Sequence, residues 1–194
     1  MGRLAYVGVW DTVGARGIPP SVLGPVATLW NRQYRFHDMA LSSLVRRARH
    51  AVGLDERRVL YRPALWENLV RFNGAARGGV RPYQQVWFIG NHGIIGGGAG
   101  AGALSAFTLE WIMGGAPELT LKPGASILDA PGDATAYSRA LAEKGRLVSR
   151  WRKGPGADVH PSVRARTEAR TDYRPGSLIK TAAAGRAKPK RPDR

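Results

Sequence analysis

The stretch that most constrains this chain is Gln85 to Gly102, QVWFIGNHGIIGGGAGAG. Val86, Trp87, Phe88 and Ile89 are β-branched or aromatic and run into a glycine, the pattern of a short buried strand. His92 then falls just past the strand's C-terminal end, where open α/β sheets place their reactive groups. The glycines at 96, 97, 98, 100 and 102 let the backbone turn tightly or approach another group closely before an apolar helical segment. Upstream, Leu4 to Val9 repeats the form, an apolar run closed by Trp10 and the carboxylate of Asp11. An acid and a histidine, each at a strand end, are the candidate chemistry.

Around these two anchors the residue pattern predicts further elements. Residues 4–10 form the first strand, and Gly14 to Pro25, with its prolines and glycines, is a loop on the sheet's rim. Asp38 caps a helix over 39–52, because Leu41, Leu44, Val45, Ala48, Ala51 and Val52 recur at helical spacing and Gly53 supplies a stop. Arg46, Arg47, Arg49 and His50 then fall on that helix's solvated side. A short strand over 57–62 ends at Pro63, and Asn73 to Pro82 is a loop. Leu104 to Met113 reads as a largely buried helix stopped by Gly114 and Gly115, and a last amphipathic helix covers 134–149. From Thr181 the composition is that of a disordered end. Strands alternating with helices give an α/β layer protein. Two or three strands are few for a sheet covered on both faces, so the expectation is a partial sheet with flanking helices and its N-terminal strands missing.

Bulk properties narrow the function. At 194 residues and 43% hydrophobic the chain can bury a real core. It has no cysteine, which excludes disulfides, thiolate metal sites and a cysteine nucleophile. No apolar run approaches a membrane span, and Asp11 interrupts the short N-terminal one, so no signal peptide is expected. The net charge is +16, and residues 151–194 carry 12 basic against 4 acidic side chains, a net of +8. Such a tail is by default a solvated segment; the alternative is a non-catalytic binding module whose basic tail holds a polyanion, an anionic lipid surface or, as the less expected partner, nucleic acid.

In a serine hydrolase a histidine is the general base and a buried carboxylate fixes its tautomer. In α/β-hydrolases the order along the chain is Ser, then Asp or Glu, then His. Asp11 followed by His92 fits the last two members, and the alternative is a turn residue and a satisfied polar histidine. The nucleophile is absent: no G-x-S-x-G occurs, and Ser105 and Ser126 do not follow a strand through a tight elbow. The main oxyanion-hole amide, which comes from the residue after the nucleophile, is absent with it. Gly96, Gly98 and Ala101, with Glu118 beyond, imitate a dinucleotide-binding fingerprint. Four residues intervene between the strand and those glycines, so the tight turn is lost and no cofactor is expected. His37, His50, His92 and His160 lack any metal-ligand spacing, so no metal is expected either.

Several ordered motifs carry a resemblance. VGVWDTVGARGIP (7–19), YRFHDMALSSLVRRARHAVGLDERR (34–58), LWE (65–67), QVWFIGNHGIIGGG (85–98), LEWIM (109–113) and VHPSVRAR (159–166), continued by YRP (173–175), are similar to an α/β-hydrolase-like family. That family includes the type VI secretion lipase effectors of family one. The resemblance implies an α/β-hydrolase fold and a phospholipase, with Asp11 as triad acid and His92 as triad histidine. Family members usually open with a GTWN-like motif and then carry the serine elbow, commonly GFSRGA; neither is present. Where the family tends to read HSDVGGGY, this chain reads HGIIGGGA, so Gly93 replaces a serine, Ile94 an acid and Ala99 an aromatic. Residues 1–150 are accordingly expected to be the C-terminal portion of such a domain, 151–180 an extended family-like segment, and 181–194 a basic tail. The implied partner is a separately encoded N-terminal piece bearing the serine. The implied location is the producing cell's cytoplasm, with export by type VI secretion.

Overall fold

Three apolar or small-residue runs pair into one parallel sheet: β1 (Val7–Trp10), β2 (Ala48–Gly53) and β3 (Tyr83–Phe88), in the order β1-β2-β3. In the computed structural model the residues described are 2–13, 41–58, 61–74, 81–98, 102–119, 131–136 and 158–175. The register sets Val9 against His50 and His50 against Gln85. Among the described residues four helices accompany the strands: α1 (Leu69–Asn73), α2 (His92–Ile95), α3 (Gly102–Met113) and α4 (Pro161–Ala169).

Successive strand residues point to opposite faces, and both faces of this sheet are covered. Ala51, Val86 and Phe88 lie on one face, with Ile112, Phe107 and Trp111 of α3 packed against them. Val52 and Trp87 lie on the other, beside Leu104 of α3 and Val163 of α4. Trp87 and Phe88 are each 1% exposed; deleting a ring so enclosed costs about 3–5 kcal/mol. The α3 helix ends where the glycines stop it, with Gly114 N–H donating to Glu110 O at 2.9 Å and Gly115 N–H to Ile112 O at 3.0 Å.

The two outer strands differ in what lies beside them. The N–H of Trp87 in β3 donates to Asp158 O at 3.1 Å, and its carbonyl accepts from His160 N–H at 2.9 Å. Val159 thereby joins β3 as a one-residue parallel bridge, and the chain enters α4 directly from it. On β1, Val7 and Asp11 aim their N–H groups at β2, so Gly8 and Trp10 direct theirs the other way. Among the described residues β1 is a terminal strand of the sheet.

The expected helix over 39–52 is corrected. Residues 48–53 are the central strand, and His50 is fully buried in it rather than solvated. A strand enclosed on both faces loses the polar–apolar alternation that betrays an exposed one, and alanines at 48 and 51 fit either period. Arg49 stays partly accessible by laying its guanidinium over the Trp111 ring and donating to the Trp111 carbonyl. Of the expected strand over 57–62, residues 59 and 60 lie outside the described residues; of the rest only Arg58 is a bridge residue, and Pro63 beyond it makes an isolated antiparallel bridge with Val13. The capping residue Asp38, the loop over 14–25, most of the helix over 134–149 and the tail from 181 lie outside the described residues. No described helix is long and apolar enough to cross a membrane.

Candidate active site

Asp11 is the first residue past β1, and its backbone turns sharply there, with φ at +44°. Few non-glycine residues occupy that region, and Asp is among those that tolerate it best. Its N–H still donates to Ala51 O at 2.7 Å, so the ladder continues while the side chain swings across the end of β2. There Oδ1 accepts the N–H of Gly53 at 2.9 Å, taking the place of a backbone carbonyl. Oδ2 lies 3.0 Å from Nδ1 of His92. Asp11 is 0% exposed and the His92 side chain 32% exposed. An ionised carboxylate accepts only, so this contact places a proton on Nδ1 and leaves Nε2 as the nitrogen able to take one.

His92 opens α2 directly behind β3. Asn91 caps that turn by accepting the Ile94 N–H at 3.1 Å, and Gly90 supplies the bend with φ at +129°. A Cβ on Gly90 would meet Ile94 Cγ2 at 2.7 Å, so the turn requires glycine on both conformational and steric grounds. Two acids just past β2 hold this loop. Asp55 Oδ2 accepts the Gly90 N–H at 2.7 Å, and the Tyr173 hydroxyl donates to the same oxygen at 2.9 Å. Burial, together with the Asp55 charge, pushes the Tyr173 hydroxyl well above its ordinary range, so it remains a donor. Glu56 Oε2 accepts the His92 backbone N–H at 3.1 Å. Burial alone would raise the Glu56 carboxyl, but hydrogen bonds from Arg58 and from the His92 amide outweigh it and hold the group below its usual value.

A second histidine lies close by and serves a different end. His50 Nδ1 is 3.0 Å from Gln85 Oε1, and the same oxygen accepts the Trp66 N–H at 2.8 Å. A backbone donor to that atom fixes it as the amide oxygen, so His50 carries its proton on Nδ1. Its Nε2 lies 3.2 Å from Thr12 Oγ1, which ties the residue after Asp11 to the central strand.

The structure brings the two sequence-predicted residues into direct contact. The serine and threonine hydroxyls nearest the sequence motifs are engaged elsewhere: Ser105 Oγ donates to Gly102 O within α3, Thr12 bonds His50, and Ser162 bonds His160. Ser126 lies outside the described residues. The glycines 96–98 close α2 rather than open α3, and Glu118 pairs with Arg47 at the N-terminal end of the strands. That acid is at the wrong end of the sheet for a dinucleotide ribose. No group of three potential metal ligands occurs among the described residues.

Asp55, Glu56, Tyr61 and Tyr173 were not foreseen as parts of this site. The adjacent acids Asp55 and Glu56 lie two and three residues past Gly53, but their partners lie 35 residues or more away in the chain.

Comparison with known families gives one match. Residues 2–115 fit the family model described as T6SS, phospholipase effector Tle1-like, catalytic domain, a span that holds Asp11, Glu56 and His92. No curated protein and no solved structure matches. With more than half of its length so matched, the chain belongs to the Tle1-like family of type VI secretion phospholipase effector catalytic domains.

Proposed function

We propose that Asp11 and His92 are the acid and the general base of a serine-hydrolase triad that cleaves carboxylic esters of phospholipids. In this reading the sheet is part of an α/β-hydrolase, continuing beyond β1 into a segment that bears the nucleophilic serine. The observation that carries it is the 3.0 Å contact between a wholly buried carboxylate and Nδ1 of a part-exposed histidine. His92 Nε2 takes the serine proton as the hydroxyl oxygen attacks the ester carbonyl. It then returns that proton to the departing alcohol oxygen, leaving an acyl-enzyme. Water repeats the sequence and releases the fatty acid, while Asp11 stays ionised and stabilises the imidazolium.

With no G-x-S-x-G in its sequence, the chain alone is expected to leave esters essentially intact. A separately supplied segment carrying GTWN and G-x-S-x-G would bring both nucleophile and oxyanion hole. The test is co-expression with the segment encoded immediately upstream, assayed on phospholipid vesicles by fatty-acid release. Hydrolysis that needs the added serine and is lost in His92→Ala supports the reading. Hydrolysis indifferent to His92, or none from a stable complex, refutes it.

The net +8 of residues 151–194 favours a second reading, a non-catalytic module that holds anionic lipid. Its binding to anionic vesicles would fall steeply with salt and be lost on deleting residues 151–194. Export through a type VI apparatus belongs with the first reading and rests on the family match.

A further inference from the structure

Between the end of β2 and Tyr61 the chain makes a closed circuit of contacts that begins and ends on His92. Glu56, 2% exposed, accepts the His92 backbone N–H through Oε2 at 3.1 Å. The same oxygen accepts Arg58 Nη2 at 2.7 Å, while Oε1 accepts Arg58 Nε at 2.9 Å and the Arg58 backbone N–H at 2.7 Å. This is a two-pronged grip with a fixed plane. It carries the Arg58 guanidinium over the Tyr61 ring, 3.8 Å from its centroid. Tyr61 in turn lies against the His92 imidazole, centroids 4.9 Å apart at 49°.

We propose that Glu56, acting through Arg58 and Tyr61, is a positioning residue that sets both the backbone and the ring of His92. The Asp11 bond holds Nδ1 only while the residue that carries the ring stays in place. Two further contacts keep it there: the amide of His92 is tied to Glu56, and the ring rests at a tilt against Tyr61. Charge favours the arrangement as well as shape. Glu56 and Arg58 neutralise one another, so the clamp grips the loop without placing an uncompensated charge beside the base. The role rests on the reading of His92 as general base. Glu56 touches neither a substrate nor the reacting nitrogen, and is not itself catalytic.

The test is nitrogen–proton correlation of the imidazole rings in the full chain at mildly alkaline pH, with His92 assigned by its loss in His92→Gln. Wild type is expected to show the Nδ1–H tautomer at His92, and Asp11→Asn to abolish it. Glu56→Ala and Tyr61→Leu, if folded by circular dichroism, are expected to lose at least half of that tautomer's population. Glu56→Gln keeps an acceptor for the His92 N–H but turns its amino group toward the Arg58 donors, so it should restore only part of it. A merely structural role would lower the melting temperature and leave the tautomer untouched. Should Glu56→Ala fail to fold, Tyr61→Leu against wild type decides. Wild-type tautomer in the folded Tyr61→Leu and Glu56→Ala variants would overturn the clamp while leaving the Asp11–His92 pair intact. An Nε2–H ring already in wild type, unchanged by Asp11→Asn, would overturn the pair and the clamp together.

Discussion

Replacing Asp11 separates three contributions that the structure superimposes on one residue. In Asp11→Asn the side chain keeps its shape and its tolerance of φ +44°. The amide oxygen can still accept the Gly53 N–H, but the amino group then faces His92 and turns Nδ1 into an acceptor, moving the proton to Nε2. A charge-assisted hydrogen bond is worth about 1.5–3 kcal/mol, yet removing a wholly buried charge recovers much of it, so the net stability loss should be no more than about 1 kcal/mol. Asp11→Ala is worse on two counts. It leaves the buried Gly53 N–H without its acceptor, about 1–3 kcal/mol, and puts a side chain without local hydrogen bonds into the left-handed region, about 1–2 kcal/mol more. Asp11→Gly removes only the second cost, less the added chain entropy of glycine, about 0.5–1 kcal/mol. The expected order of stability is wild type, Asn, Gly, Ala, read by urea unfolding followed by tryptophan fluorescence. In a complex that supplies a serine, the Asn variant should instead lose about four orders of magnitude in kcat, as wrong-tautomer variants of such triads do. An Ala variant as stable as wild type, or a Gly variant below Ala, would refute the account of the Asp11 turn. An Asn variant with undiminished kcat would refute its role.

Three further outcomes follow from neighbouring residues. Gly90→Ala places a Cβ 2.7 Å from Ile94 Cγ2 at φ +129°, and should cost at least about 3 kcal/mol and abolish the Nδ1–H signal of His92; a melting temperature within error of wild type would contradict this. Glu56 titrates below its ordinary value of 4.5, so its stabilising contribution is present above that pH and lost as pH falls through the lower folded value; Glu56→Gln should flatten part of the acid limb of a melting-temperature profile below about pH 4.5, and an unchanged limb would argue against it. Val163, 1% exposed in the same cluster as Val52 and Trp87, lies beyond the family match, and Val163→Ala should cost about 2 kcal/mol in urea unfolding; no loss would mean that α4 does not belong to this core.

How much of this was readable in the residues depends on how each element is buried. β1 and β3 announce themselves through VGVW and VWF, and α3 through its apolar length and two stopping glycines. The acid and the histidine followed from their places after those strands, and the structure does bring them together. β2 reads as a helix in the residues alone because ARHAVG is short, alanine-rich and carries a histidine that only tertiary structure makes internal. α4 was missed although it carries its own start signal, His160 as cap with Pro161 in the first turn. Its apolar face is Val163 alone, with the buried Arg166 guanidinium donating to Ala134 O and Ala136 O in place of hydrocarbon. The grip on His92 was unreadable for a different reason: hydrogen bonds to backbone N–H groups leave no compositional trace at the residue that donates.

The middle strand explains why the two reactive residues meet at all. Asp11 and His92 follow strands that are not neighbours, and β2 between them puts the strand ends about 10 Å apart, two spacings of about 4.8 Å. A carboxylate reaches only part of that distance, so His92 must be brought back over the end of β2, and that end must be low enough to pass beneath. Gly53 meets both needs. A Cβ there would stand 2.7 Å from Gly90 O and 3.1 Å from Ile95 Cγ1, in the space through which the returning loop passes. With no side chain to avoid, the Gly53 N–H holds Asp11 from below, while Asp55 N–H and Leu54 N–H hold Gly90 O and Phe88 O at 3.0 and 2.9 Å. β2 contributes no group to the dyad, yet Gly53 at its end bonds the acid, Asp55 and Glu56 just past it bond the loop and amide of the histidine, and Val52 and Leu54 share a core cluster with Ile94 of α2. A substitution at Gly53 should therefore separate Asp11 from His92 before it unfolds the sheet. Loss of the Nδ1–H signal in a Gly53→Ala chain that still melts cooperatively would be the sign of it, and retention of that signal would show that the crossing does not depend on the glycine.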